Sequence, residues 1–186
     1  MRKVIYGGAT SLDQMLARDD GSVDWLVMDA EAMELMKDMW NRFDVMVMGR
    51  KTWSTAIENF SDEDLKKAEE MKGGMRAVVF SRTVEPGLKG GYEIVNADPG
   101  EFVRDLKLQE GKDICVMGGG ELARELFEAG VIDEVGFNIH PVLLGGGVPA
   151  FHRMSRQIDL ELLECKAMKN GCVYVLYNVK RETSDE

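Results

Sequence analysis

Three short stretches place glycines, hydroxyls and cations in a pattern that suits a phosphate. Gly49-Arg50-Lys51-Thr52-Trp53 follows the apolar run Val45 to Met48. Ser81-Arg82-Thr83 follows Arg76 to Phe80, and Gly118-Gly119-Gly120-Glu121-Leu122 follows Ile114 to Met117. Each reads as a strand that ends in a turn. After the third, Leu122, Ala123, Leu126 and Phe127 recur at helical spacing. A helix that starts on glycines exposes bare backbone N–H groups, and the missing side chains let an anion come close. Arg50 and Arg82 add guanidinium forks that match phosphate oxygens. Singly, each stretch is a weak signal, because glycines at a tight strand-to-helix turn are often structural. The spacing is not G-x-G-x-x-G, and no P-loop Lys-Ser/Thr follows. Together they sit at three strand ends, where open α/β sheets bind ligands.

The elements that must position these residues are legible in turn. Lys3 to Thr10 reads as a first strand, and Ser11 to Asp24 as a loop at its end, a ligand-facing place. Asp29 is placed as the cap of a helix whose stripe Met33, Met36, Met39, Trp40 and Phe43 predicts core packing. Ser61 with Asp64 reads as a capping pair for a helix to about Met71. Tyr92 to Val95 is a short strand. Asp98-Pro99-Gly100-Glu101 is a helix start with cap, proline at the first position and Glu three after the cap. Later, Val135, Phe137 and Ile139 alternate as in a strand. Ile158, Leu160 and Leu162 alternate in one phase and Leu163, Cys165 and Ala167 in the other, which predicts a β-bulge. Asn170-Gly171 marks a hairpin turn, with Val173, Val175, Tyr177 and Val179 returning. The fold class is therefore α/β: strand–helix units first, an antiparallel hairpin last, in one mixed sheet. One domain is expected over residues 1–180, with a frayed tail over 181–186.

The bulk numbers narrow the function. Net charge is −10 over 186 residues, which disfavours a general nucleic-acid partner and means that an anionic ligand needs a local basic site. Cys115, Cys165 and Cys172 lack metal-type spacing, and no metal is expected. Cys115 and Cys172 fall in apolar runs and read as buried free thiols of a reducing compartment. With no signal-peptide pattern and no 18-residue apolar run, the expected location is the cytoplasm, without membrane contact.

Val45-Met46-Val47-Met48-Gly49-Arg50-Lys51-Thr52-Trp53 closely resembles the dihydrofolate reductase stretch that holds the NADPH phosphates. Val116-Met117-Gly118-Gly119-Gly120 is similar to that superfamily's Gly-Gly turn, where a cis peptide lies beside nicotinamide and pyrophosphate. Ile132 to Phe151, with Asp133-Glu134-Val135, His140-Pro141-Val142 and Leu144-Gly145-Gly146-Gly147, resembles the reductase domain of the riboflavin-biosynthesis RibD family. Thr10-Ser11-Leu12-Asp13 resembles that branch too, with Gln14 where Gly is usual. The resemblance spans essentially the whole chain. It implies a dihydrofolate reductase-like sheet, mixed and mostly parallel, flanked by helices and closed by the C-terminal antiparallel hairpin.

It also implies an NADPH-dependent reductase of a small heterocycle, pterin- or pyrimidine-like. By resemblance, Gly49, Arg50, Lys51 and Thr52 meet the pyrophosphate and 2′-phosphate, Ser81 and Arg82 the adenosine 2′-phosphate side, and Gly118, Gly119, Gly120, Glu121 and Leu122 the central phosphates and nicotinamide ribose. NADPH carries the hydride, and a side chain or ordered water supplies the proton. Asp13 and Asp29 are the candidate acids, Asp13 ahead because Asp29 has a competing role as helix cap. Trp25 is a candidate to stack on the heterocycle, or a core residue. His140 reads as structural. No deaminase signature is present, and the Asp-x-Pro-x-Leu-x-x-Arg run of the 5-amino-6-(5-phosphoribosylamino)uracil reductase is replaced by Ser54 to Asp62. The folate-type Leu-Pro-Trp is half matched by Val23-Asp24-Trp25. The substrate is thus left open, as is a non-catalytic NADP(H)-binding protein on the same fold. A homodimer is expected from the RibD-like branch.

Overall fold

The computed structural model describes residues 1–59 and 73–181. Six parallel strands form the middle of a nine-stranded sheet: β8 (Glu134–His140), β1 (Val4–Ser11), β7 (Asp113–Met117), β3 (Phe43–Gly49), β4 (Arg76–Phe80) and β6 (Tyr92–Val95), in that order. Antiparallel β11 (Val173–Val179) and then β10 (Leu160–Ala167) extend one edge, and antiparallel β5 (Gly87–Lys89) the other. A two-stranded sheet pairs β2 (Met15–Ala17) with β9 (Val148–Pro149), so the stretch from Ser11 to Asp24 is not all loop. The helices are α1 (Ala30–Trp40), α2 (Arg50–Asn59), α3 (Pro99–Leu108) and α4 (Gly120–Glu128). The expected helix from Ser61 to Met71 lies outside the described residues.

Strand alternation explains the two faces of the sheet. Val4, Tyr6, Val45, Val47, Val78, Phe80, Ile114 and Val116 point to one side, onto Val103, Leu106, Leu122, Leu126 and Phe127 of α3 and α4. Ile5, Met46, Met48, Ala77, Val79 and Cys115 point to the other, onto Met39 and Trp40 of α1 and Trp53 of α2. A strand buried on both faces must be apolar at every position, and the runs Val45–Met48 and Ala77–Phe80 are. Full burial of a side chain such as Leu126 is worth roughly 1.5–3 kcal/mol. The α1 stripe departs from expectation. Ala32 is its buried residue, Met39 and Trp40 lean on the core, and Met33 is 43% exposed. The register of β10 against β11 slips between Leu162 and Glu164, at the expected bulge, and Gly171 (φ 86) makes the turn.

The sheet opens a cleft where its strands part company. β1 pairs with β7 from Val4↔Ile114 to Gly7↔Met117 and no further. Its pairing with β8 continues to Ser11↔His140. Beyond Gly7, β1 therefore stays with β8 while β7 turns away into α4. Gly8 borders this gap, and a Cβ built there meets nothing within 4 Å.

Candidate functional site

The carboxyl ends of β3 and β7 bring two helix starts side by side. Gly118 (φ 58) and Gly119 (φ 61) are both left-handed, a conformation that glycine adopts without penalty. Gly119 occupies the cap position of α4 and provides no side-chain hydrogen bond to its first N–H groups. A Cβ on Gly118 would lie 2.7 Å from Thr52 Cγ2 and 2.9 Å from Thr52 Oγ1, so the first turn of α2 sits directly against the glycine turn. All described peptide bonds are trans, so the cis peptide implied for this turn is absent. The chain makes the turn instead with two successive left-handed residues.

Electrostatics single out α2. Helices α1, α3 and α4 carry Glu31, Glu101 and Glu121 in their first turns, as the helix dipole favours. The first turn of α2 has no acid and begins Arg50-Lys51. Two cations at the positive end of a helix are unfavourable unless an anion joins them. Lys51 Nζ reaches Glu121 Oε1 at 3.0 Å, bridging the two helix starts, and that pairing holds the Glu121 carboxyl below its ordinary range. The bridge is exposed and worth about 0–1 kcal/mol. Leu122 is buried and packs beside Gly49.

Next along the sheet, the Ser81 hydroxyl accepts from the N–H groups of Thr83 (3.2 Å) and Val84 (2.9 Å), which fixes the turn after β4 and leaves its own proton to donate. The exposed Arg82 reaches Glu125 of α4 at 3.4 Å. Arg82, Arg124 and Arg153 line a groove of about 580 Å³ between the start of α3 and the C-terminal half of α4. Of the sequence-nominated cofactor residues, Gly49 to Thr52 and Gly118 to Leu122 thus form one cradle, with Ser81 and Arg82 at its edge.

Both nominated acids have other work. Asp13 accepts from the Ser11 hydroxyl (2.5 Å) and from the N–H groups of Leu144 (3.1 Å) and Gly145 (2.8 Å). The Ser11 bond above all, then the two backbone bonds, bring its carboxyl down to about 2. These bonds make Asp13 the tie of the Leu144–Gly147 loop. Asp29 caps α1 through Ala32 N–H (2.9 Å) and accepts from Asn170 Nδ2 (3.0 Å) with its other oxygen. The Asp13 tie has a pH signature. A carboxyl depressed from 3.8 to about 2 contributes stability above pH 4 and loses it as pH falls through 2. Asp13→Asn is therefore expected to melt below wild type at pH 7, with the gap closing between pH 4 and pH 2. A gap that stays constant in thermal melts across that range would contradict the tie.

Trp25, nominated to stack on a heterocycle, and His140, read as structural, meet at the ends of β1 and β8 with Asn138, which the sequence reading passed over. His140 is buried. Its Nδ1 accepts from Val27 N–H (3.2 Å) and lies 3.5 Å from Cys172 Sγ, while burial pushes its imidazole below the ordinary value. Trp25 packs edge-on to His140 with ring centroids 5.3 Å apart. The Asn138 carboxamide lies 3.4 Å from His140 Nε2. Among the described residues, Thr10 Oγ1, Trp25 Nε1 and Trp53 Nε1 are buried without a partner in the fold, and the Asn138 carboxamide has one end without a partner. Such orphans are uncommon in native structures. Thr10 and Asn138 stand at the cleft ends of β1 and β8, and Trp53 follows the α2 start. The one sequence signal for Asn138 is an amide interrupting the apolar run from Val135 to Ile139.

Comparison with known proteins agrees with the fold. Residues 2–174 match the RibD C-terminal domain family. The chain is 31% identical over 181 residues to the uncharacterised Bacillus subtilis protein YyaP, covering 95% of each. A putative riboflavin biosynthesis protein from Shewanella sp. PV-4 superposes with a TM-score of 0.77 at 24% identity, over 97% of this chain and 100% of that one. Dihydrofolate reductase from Enterococcus faecalis, complexed with NADP(H), gives 0.67 at 12% identity, over 96% and 97%.

Proposed function

Since the chain belongs to the RibD C-terminal domain family, we propose that it is an NADPH-dependent reductase of a small heterocycle. The observation that carries this reading is the cradle at β3 and β7: an α2 start with two cations and no acid, packed against an uncapped α4 start at Gly118–Gly119. In this reading the N–H groups of both helix starts and Thr52 hold the diphosphate, and Arg50 reaches from it to the 2′-phosphate. Arg82, with the Ser81 hydroxyl proton, takes the 2′-phosphate. The nicotinamide end then falls in the gap where β1 leaves β7, beside Gly8. When bound, NADPH supplies the hydride. The Asp13 and Asp29 carboxylates are both engaged in holding the fold, which leaves ordered water as the proton source.

Steady-state NADPH oxidation across dihydropterins and aminopyrimidines tests the proposal. Turnover of one class supports it, and NADPH binding without turnover of either favours a binding protein on the same fold.

A homodimer and a reducing, cytoplasmic setting complete the reading. Cys115 and Cys172 are buried free thiols, consistent with such a compartment. Every residue of edge strand β10 is exposed, including Leu160, Leu162 and Leu163. An open apolar edge of this kind invites pairing with another chain. Replacing Leu162 and Leu163 together by Glu is expected to convert a dimer to a monomer by light scattering, whereas a monomeric wild type would exclude the dimer.

A further inference from the structure

The two halves of the cleft differ in charge. Residues 9–31, which run from the end of β1 through the loop to α1, carry six carboxylates (Asp13, Asp19, Asp20, Asp24, Asp29 and Glu31) and one cation, Arg18. Arg18 is paired with Asp24 at 2.7 Å. Residues 138–149, which face them from β8 and its loop, contain no Asp, Glu, Lys or Arg. Lys166 and Lys169 belong to the β10–β11 hairpin, where Glu31 takes the Lys166 ammonium (3.8 Å) and the Lys169 backbone N–H (3.0 Å). Among the described residues, no guanidinium in this half is left to pair with a phosphate.

The polar groups without partners have a different character. Asn138 pairs in register with Ala9, so its side chain rises from the same face of the sheet beside a residue that offers only a methyl group. Gly8, next along, leaves open space. With Nδ1 of the neutral His140 accepting from Val27, its Nε2 carries the proton and takes the Asn138 carboxamide oxygen, which leaves the Asn138 NH2 as a buried donor beside the Trp25 Nε1 donor. A buried acceptor or donor without a partner has lost its water and gained nothing, and a ligand group of the opposite kind recovers that loss. Planar rings with C=O and ring nitrogen on their edge provide the acceptors that both donors lack, and the indole offers such rings an aromatic contact.

We propose that this half of the cleft takes an unphosphorylated, neutral or cationic planar heterocycle, read by Asn138 and Trp25. The proposal deepens the reductase reading and rests on it for the role of the second ligand. It sets the chain's substrate apart from 5-amino-6-(5-phosphoribosylamino)uracil, whose phosphate would enter a field of carboxylates.

The matched probes are 5-amino-6-(ribosylamino)uracil and its 5′-phosphate, titrated by calorimetry into the full chain with and without NADPH. The riboside is expected to bind at least tenfold tighter than the phosphate. Asn138→Ala and Trp25→Phe should each weaken the riboside at least tenfold while leaving the NADPH dissociation constant unchanged. Trp25→Phe keeps an aromatic ring and removes the N–H, so it reports on the hydrogen bond even where Asn138→Ala perturbs folding. Equal or tighter binding of the phosphate overturns the proposal, as do variants with wild-type riboside affinity. NADPH binding without either pyrimidine also overturns it and leaves the reductase reading standing. Riboside binding by a protein that ignores NADPH supports the proposal and removes the reductase reading.

Discussion

Gly118→Val is expected to reduce NADPH affinity by a factor of roughly 100 or more, a loss of about 3 kcal/mol. Two effects combine. At φ 58 a β-branched residue is a steric outlier, costing on the order of 1–2 kcal/mol. Its Cβ also falls 2.7 Å from Thr52 Cγ2, so the α2 start must move away from the α4 start and the cradle loses its shape. Destabilisation alone does not explain such a loss in a protein that remains folded at the titration temperature. Gly90→Val is the control. Gly90 has a similar φ of 55 in the β5–β6 turn, and a Cβ there would meet no atom within 4 Å, so it carries the strain without the clash. Both variants are expected to melt lower than wild type, and Gly118→Val alone to lose NADPH. Retained affinity in folded Gly118→Val would reduce the glycine turn to a structural feature.

The second large effect is on cofactor choice. NADH lacks the 2′-phosphate that Arg50 and Arg82 are assigned to hold. A charge-assisted contact is worth roughly 1.5–3 kcal/mol, so each arginine should favour NADPH by about 10–100-fold. The Arg82 side chain is 83% exposed, which puts its share at the low end and makes it sensitive to salt. The Arg50→Ala, Arg82→Ala double variant is expected to bind the two cofactors within about threefold of each other, by losing NADPH affinity and not by gaining NADH affinity. The wild-type preference should also shrink between roughly 50 and 500 mM salt. Equal dissociation constants in the wild-type protein would refute the assignment of both arginines.

The parts of this architecture that are written locally were legible in the sequence. Val45 to Met48 and Ala77 to Phe80 are apolar at every position because each strand is covered on both sides. Gly118 and Gly119 stand where the backbone is left-handed, and Asp98-Pro99 is a helix start complete in itself. What the sequence could not show depends on distant partners. Asp13 looked like a free loop carboxylate, but its oxygens accept from Leu144 and Gly145, more than 130 residues away. The alternation of β10 is that of a half-buried strand, yet nothing among the described residues covers it. Met33 fits a helical stripe by spacing and faces outward because α1 buries Ala32 instead. Asn138 acquires meaning only when β8 lies beside Ala9 and His140 sets its amide. The glycine turn and the helix starts were therefore readable, and of the residues around the gap beyond them the sequence reading nominated Trp25 but not Asn138.

A crystal structure of the protein with NADPH bound tests the central claim most directly. The expected result is phosphates against the backbone of Gly49 to Thr52 and Gly118 to Glu121, the 2′-phosphate at Arg50 and Arg82, and the nicotinamide in the gap beside Gly8, with the second ligand's space between it and Asn138 and Trp25. A cofactor seated away from the β3 and β7 ends, or a nicotinamide turned out of the gap, would contradict it.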